Sequence, residues 1–153
     1  MSTDDPFRTF RPRAVRVVIP LLLAVWIGGS AFLIVTMVRY EADYTTHIAA
    51  IAILLVLAVT FLMRVLLVRA VPDRQGLRVY NIVLRHHLPW ERVVSVRFGD
   101  RPWVQLDISD GTVLSVMAVQ RADGTYAREE ASRLAALVAA HEARDVDPGD
   151  GRR

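Results

Sequence analysis

The sequence contains no cysteine and no lysine. Without cysteine there is no disulfide, no thiol nucleophile and no cysteine-liganded metal. Without lysine, all 19 cations other than histidine are arginines. Aromatic residues make up only 8% of the chain, too few for a row of base-stacking side chains. The net charge of +3 is therefore not read as a nucleic-acid signal, because several arginines flank apolar runs instead. A Gly-rich phosphate loop, a zinc-ligand spacing and a nucleophile elbow are also missing. His86 and His87 are adjacent, and adjacent strand residues point to opposite faces, so they cannot share one metal ion. His47 stands alone, and His141 falls on an amphipathic helix as a packing residue. Asp107 and Asp110 have no accompanying base or nucleophile. No catalytic residue, no metal ligand and no cofactor site is assigned, and an enzyme is not expected.

Charge is missing from one more place: residues 17–38 form a long apolar run, and a second run covers residues 48–68, broken only by Arg64. A bilayer core of about 30 Å takes about 20 apolar residues as a helix. Both runs reach that length, and bulky residues Phe32, Leu33, Ile34 and Val35 stand where a signal peptide would carry small ones. Two retained transmembrane helices are expected, joined by a loop over residues 39–47. Residues 48–63 make about 24 Å of helix at 1.5 Å per residue, so Arg64 falls near the interface, where its head can snorkel out of the apolar core. Trp26, Gly28, Gly29 and Ser30 lie mid-span. Small residues permit close helix approach, so this stretch is a contact with Ala49, Ala50, Ala52 or Ala58, or a seam between two copies.

Residues 1–16 form a basic tail expected to be unstructured, with Arg8, Arg11, Arg13 and Arg16. Arg64, Arg69, Arg74 and Arg78 follow the second run, whereas the loop carries only Arg39. Arginine excess marks the cytoplasmic side, so both termini are expected there, in a cell (inner) membrane.

After residue 70 the period shortens. Leu77, Val79 and Tyr80 are strand-like, Asn81 suits a turn or bulge, and residues 82–88 continue as an extended run. Val94, Val96 and Phe98 alternate with Ser95 and Arg97, the mark of a half-buried strand. Val104, Leu106 and Ile108 alternate in turn, and Asp110-Gly111 follows. A three-residue loop, Ser109 to Gly111, would pair Leu106 with Leu114, Gln105 with Ser115 and Val104 with Val116. A two-residue loop would slip the register by one and bring Ser115 to the apolar face. The three-residue loop is expected, with Gly111 in the left-handed position. From Thr125 an amphipathic helix of about 17 residues carries Ala127, Ala131, Leu134, Val138 and His141 on one side. Arg128, Glu129, Ser132 and Arg133 cover the other. Residues 145–153 read as a disordered tail.

Short antiparallel strands followed by one helix make an α+β pattern. The stretch Gly76-Leu77-Arg78-Val79 with Asn81, then Leu88-Pro89-Trp90, Val93 to Val96 and Asp110-Gly111, resembles the bacterial pleckstrin-homology-like family. It most resembles the small membrane-anchored form with two helices ahead of the domain. The resemblance covers residues 70–144. It implies a bent antiparallel sheet or partial barrel closed by one C-terminal helix, and a binding or scaffolding module rather than an enzyme. Relatives with inositol phosphate sites carry basic residues at the first strand pair, where Arg78 and Arg85 fall here.

The expected whole is a two-helix transmembrane hairpin followed by a cytoplasmic α+β domain. Its expected role is to recruit or scaffold a protein partner at the membrane. The alternative is anionic-headgroup binding by an arginine face made of Arg74, Arg78, Arg85, Arg97 and Arg101. The bilayer, a protein partner and a second copy are the expected associations.

Overall fold

A computed structural model describes residues 5–39 and 45–146. The chain divides into two compact units, residues 13–67 and a second made of residues 1–12 with 68–153. The expected outer loop and C-terminal tail lie largely outside the described residues.

The first unit is a pair of helices, α1 (Arg13–Arg39) and α2 (Thr45–Leu66). Both are long and apolar enough to cross a membrane. Their exteriors are apolar: Val25 is 70% exposed and Phe32 71%. Thr36 and Thr60 donate their hydroxyls to the carbonyls of Phe32 and Val56 four residues back, so neither brings an unpaired donor to the apolar exterior. The two helices pack together, but not through the glycines. Gly28 and Gly29 are exposed with open space around them, and Ser30 is the buried small residue. On α2, Ile48, Ile51, Leu55, Ala58 and Leu62, spaced alternately three and four apart as a packed helix seam requires, are among the shielded positions, with Val59, Val65 and Leu66 beside them. Ala49, Ala50 and Ala52 fall outside that seam and are exposed. Arg64 lies exposed in the last turn of α2, as its position along the span implies.

The second unit holds two three-stranded antiparallel sheets and one helix. The first sheet has the order β1 (Arg69–Pro72), β2 (Gly76–Tyr80), β3 (Arg85–Pro89). The second has β4 (Val93–Arg97), β5 (Trp103–Ile108), β6 (Val113–Gln120). A terminal helix, α3, spans Thr125–Val146. The expected β5–β6 pairs hold: Leu106 faces Leu114, Gln105 faces Ser115, Val104 faces Val116, and Gly111 has φ +83°; the register shifts beyond them, between Trp103 and Val104. Gly76 is constrained differently, since a Cβ there would lie 2.4 Å from the Leu88 carbonyl oxygen, so β2 and β3 can approach only with glycine at this point.

Other expectations fail, each for an identifiable reason. A bulge between Val93 and Ser95 breaks the alternation of β4. Val93 turns inward, and Val94, expected on the buried face of that strand, is left 64% exposed. Residues 82–84 belong to the loop between β2 and β3, not to a strand, because the Asn81 amide closes a turn onto the Leu84 carbonyl. Finally, the N-terminal segment is seated on the domain. Phe10 is fully buried, its N–H donates to the Ala70 carbonyl at 2.8 Å, and the Ala70 N–H returns the bond at 3.1 Å. Phe10 thus shields the outer edge of β1 and joins the core cluster.

Arg133 holds that segment in place and is not a solvated polar-face residue. Its guanidinium donates to the carbonyls of Pro6 and Arg8, pairs with Glu130, and stacks over the Phe10 ring at 3.8 Å. Glu130, itself 4% exposed, also pairs with Arg8 at 2.7 Å. The inward face of α3 follows its apolar stripe: Ala127, Ala131, Leu134 and Val138 are buried, and the His141 ring stacks on Trp90 at 5.1 Å.

Candidate binding surface

The faces of the first sheet follow from its register. Arg69 faces Tyr80, and Tyr80 faces Arg85; Val71 faces Arg78, and Arg78 faces His87. Strand side chains alternate between faces, so Arg69, Arg78, Tyr80, Arg85 and His87 share the outer one. Ala70, Leu77, Val79 and Leu88 share the inner face and are buried. Tyr80 sits mid-row with the Arg69 guanidinium 4.8 Å and the Arg85 guanidinium 5.8 Å from its ring centre. These cation–π contacts hold two arginines side by side. His86 pairs with Val79, on the opposite face from His87.

Asp73 organises the turn from β1 to β2. Its carboxylate accepts hydrogen bonds from the backbone N–H groups of Gln75 and Gly76, each at 2.9 Å, and pairs with Arg78 at 2.9 Å. Its own carbonyl accepts the Trp90 indole N–H at 2.8 Å. Partial burial pushes the Asp73 carboxyl up. The two amides and the Arg78 guanidinium outweigh that and hold it below the ordinary carboxylate range.

The five arginines proposed as one face divide between the two sheets. Arg74, Arg78 and Arg85 belong to the first sheet and its turn. Arg97 and Arg101 belong to the second and line an open hollow of about 820 Å³ with Gln105 and Ser115. There Asp107 accepts from Ser95 and pairs with Arg97, and the Ser95 and Arg97 bonds keep its carboxyl below its usual range. Arg92, near the β5–β6 turn, pairs with Asp110. Arg78 and Arg97 are thus matched by acids. Among the described residues, no acidic side chain pairs with Arg69, Arg74, Arg85 or Arg101. Arg69 belongs with the first-sheet group but sequence reasoning passed over it as a flank of the second span. Its signal is its register opposite Tyr80.

Asn81 ties the two sheets together. Its side-chain amide donates to the Ser115 carbonyl at 2.8 Å and accepts from the Met117 N–H at 3.2 Å, occupying part of the β6 edge. No three His, Asp or Glu side chains converge on a common point among the described residues.

Residues 68–137 match the family model of the bacterial PH domain. No curated protein and no solved structure is similar enough to the chain to match it.

Proposed function

We propose, from the match of residues 68–137 to the bacterial PH domain model behind two helices apolar enough to span a membrane, that the protein is a membrane-anchored, non-catalytic recruiting module. It takes a protein partner as an added strand on the outer edge of β3, at the cytoplasmic face. The open edge of β3 carries this reading. Of the four sheet edges, β1 is shielded by Phe10, β6 is partly occupied by Asn81, and β4 is bulged. Bulges discourage further pairing. No strand among the described residues pairs with the outer edge of β3. Strand addition uses such an edge, with main-chain bonds for affinity and alternate side chains for choice. The arginine excess beside the helices supports a cytoplasmic domain. The Phe10–Ala70 bridge supports the same topology, since it requires residues 10 and 70 to share one side of the membrane.

The alternation of an antiparallel ladder names the residues to test. The Asn81–Leu84 bond starts the β2–β3 ladder. His86 and Leu88 then bond to β2, and Arg85 and His87 turn their backbone groups outward. His87→Pro removes an outward N–H, which an edge strand tolerates. Crosslinking of the full chain in native membranes should capture a partner with the wild-type protein and lose it with His87→Pro, while the domain's melt stays in place. Equal capture by the variant overturns strand addition.

A further inference from the structure

The loop between β2 and β3 exposes apolar side chains at a hairpin tip. Val83 is 79% exposed and Leu84 61%, and they are the only sequence-adjacent pair of large apolar residues exposed in the domain among the described residues. Ile82 beside them packs on the core, and the Asn81–Leu84 hydrogen bond at 3.0 Å keeps the turn tight. At its base stands the row of Arg69, Tyr80 and Arg85.

Chain connectivity limits where this base can be. Arg69 follows Leu66, the end of α2, by three residues, a reach of about 10 Å at most. Phe10, bonded both ways to Ala70, precedes Arg13, the start of α1, by three residues. Whichever way the domain turns, both helix ends are leashed to the strand that lies opposite Tyr80. If the helices span a bilayer, the tip's base is held within a short reach of the lipid surface. Tyrosine prefers that interface, arginine snorkels there with its charge among the headgroups, and each basic residue near an anionic surface adds about 1 kcal/mol.

We propose that the Ile82–Leu84 tip inserts into the bilayer of the protein's own membrane, with Arg69 and Arg85 meeting lipid phosphates at its base. The insertion presses the domain against the membrane in one orientation. This rests on the two helices being spans and not on strand addition at β3.

The absence of cysteine makes the test clean. Full chain carrying Val83→Cys, labelled with an environment-sensitive fluorophore, is placed in phosphatidylcholine–phosphatidylglycerol vesicles. Ser109→Cys, at the exposed polar tip between β5 and β6, serves as the reference. Both positions are exposed, so neither label disturbs the core. The expected result is a blue-shifted emission at position 83 that brominated acyl chains quench, an unquenched emission at position 109, and weaker quenching at 83 when Arg85→Glu is added. A label at 83 that reads as aqueous as the one at 109 overturns the proposal. Crosslinking of two chains through position 83 without lipid quenching also overturns it, in favour of a second copy as occupant.

Discussion

The helical pair and the β-rich domain behind it treat the same apolar residue types in opposite ways. Leu21, Leu54 and Leu57 are each more than half exposed, while Leu77, Leu106 and Leu134 in the domain are fully buried. Neither unit departs from what burial of apolar surface demands. They face different solvents. A helix for lipid needs no polar side, so its apolar residues run on without period. A strand or helix that must face water on one side keeps its apolar residues at spacings of two or about 3.6. Val83 and Leu84 at the β2–β3 tip are exposed as the helix leucines are, although they belong to the second unit.

One residue type makes the sharpest contrast. Phe10→Ala should cost about 3–5 kcal/mol, because it empties a fully buried site. Phe32→Ala on α1 should move the domain's melt by less than about 0.5 kcal/mol. Denaturant melts of the full chain in detergent, followed by near-ultraviolet dichroism, make the comparison. Equal midpoints for the two variants would break it. The same burial predicts that a segment beginning at Val71 folds poorly by itself, since it lacks Phe10, Val68 and Ala70 of the core cluster.

A second comparison lies within α3. Leu134→Ala should cost about 2–5 kcal/mol. Arg133→Ala, its neighbour, should cost about 1–3 kcal/mol, because it strips a partner from the buried Glu130 and two donors from the Pro6 and Arg8 carbonyls. An Arg133→Ala midpoint identical to wild type would show that the N-terminal segment does not hold to the helix.

The smallest effect is on acid stability. The Asp73 carboxyl is held below its ordinary value in the folded chain. Its contribution is therefore fully present above the unfolded value of about 3.9 and is lost as pH falls through the lower folded value. Asp73→Asn should weaken the domain more at pH 7 than at pH 2.5. A penalty independent of pH would remove the carboxylate from the turn.

How legible each feature was depended on the sequence distance of its cause. The β5–β6 register could be read because Val104, Leu106, Leu114 and Val116 alternate on both sides of an Asp-Gly turn only a few residues long. The stripe on α3 was equally local. Val94 was misplaced because a bulge shifts strand phase without a composition signal. Phe10 was missed because its partner, Ala70, lies beyond both helices, and a phenylalanine among prolines and arginines shows no period. Arg133 was read as solvated because its acceptors are backbone carbonyls of that same distant segment. At the candidate surface, the resemblance put Arg78 and Arg85 at the first strand pair, whereas β1 precedes them and they lie on β2 and β3. The sequence could not separate Arg97 and Arg101 from them, because alternation fixes the face within a sheet and says nothing of how two sheets stand.

We propose that the Phe10–Ala70 bridge keeps both ends of the helical hairpin on one side of the membrane. Single cysteines at Asp5 and Glu129, both exposed, can be probed with a membrane-impermeant maleimide on intact cells and on inverted membrane vesicles. The account predicts that both are protected in cells and both are labelled in inverted vesicles. Labelling of the two positions from opposite faces of the membrane would contradict it.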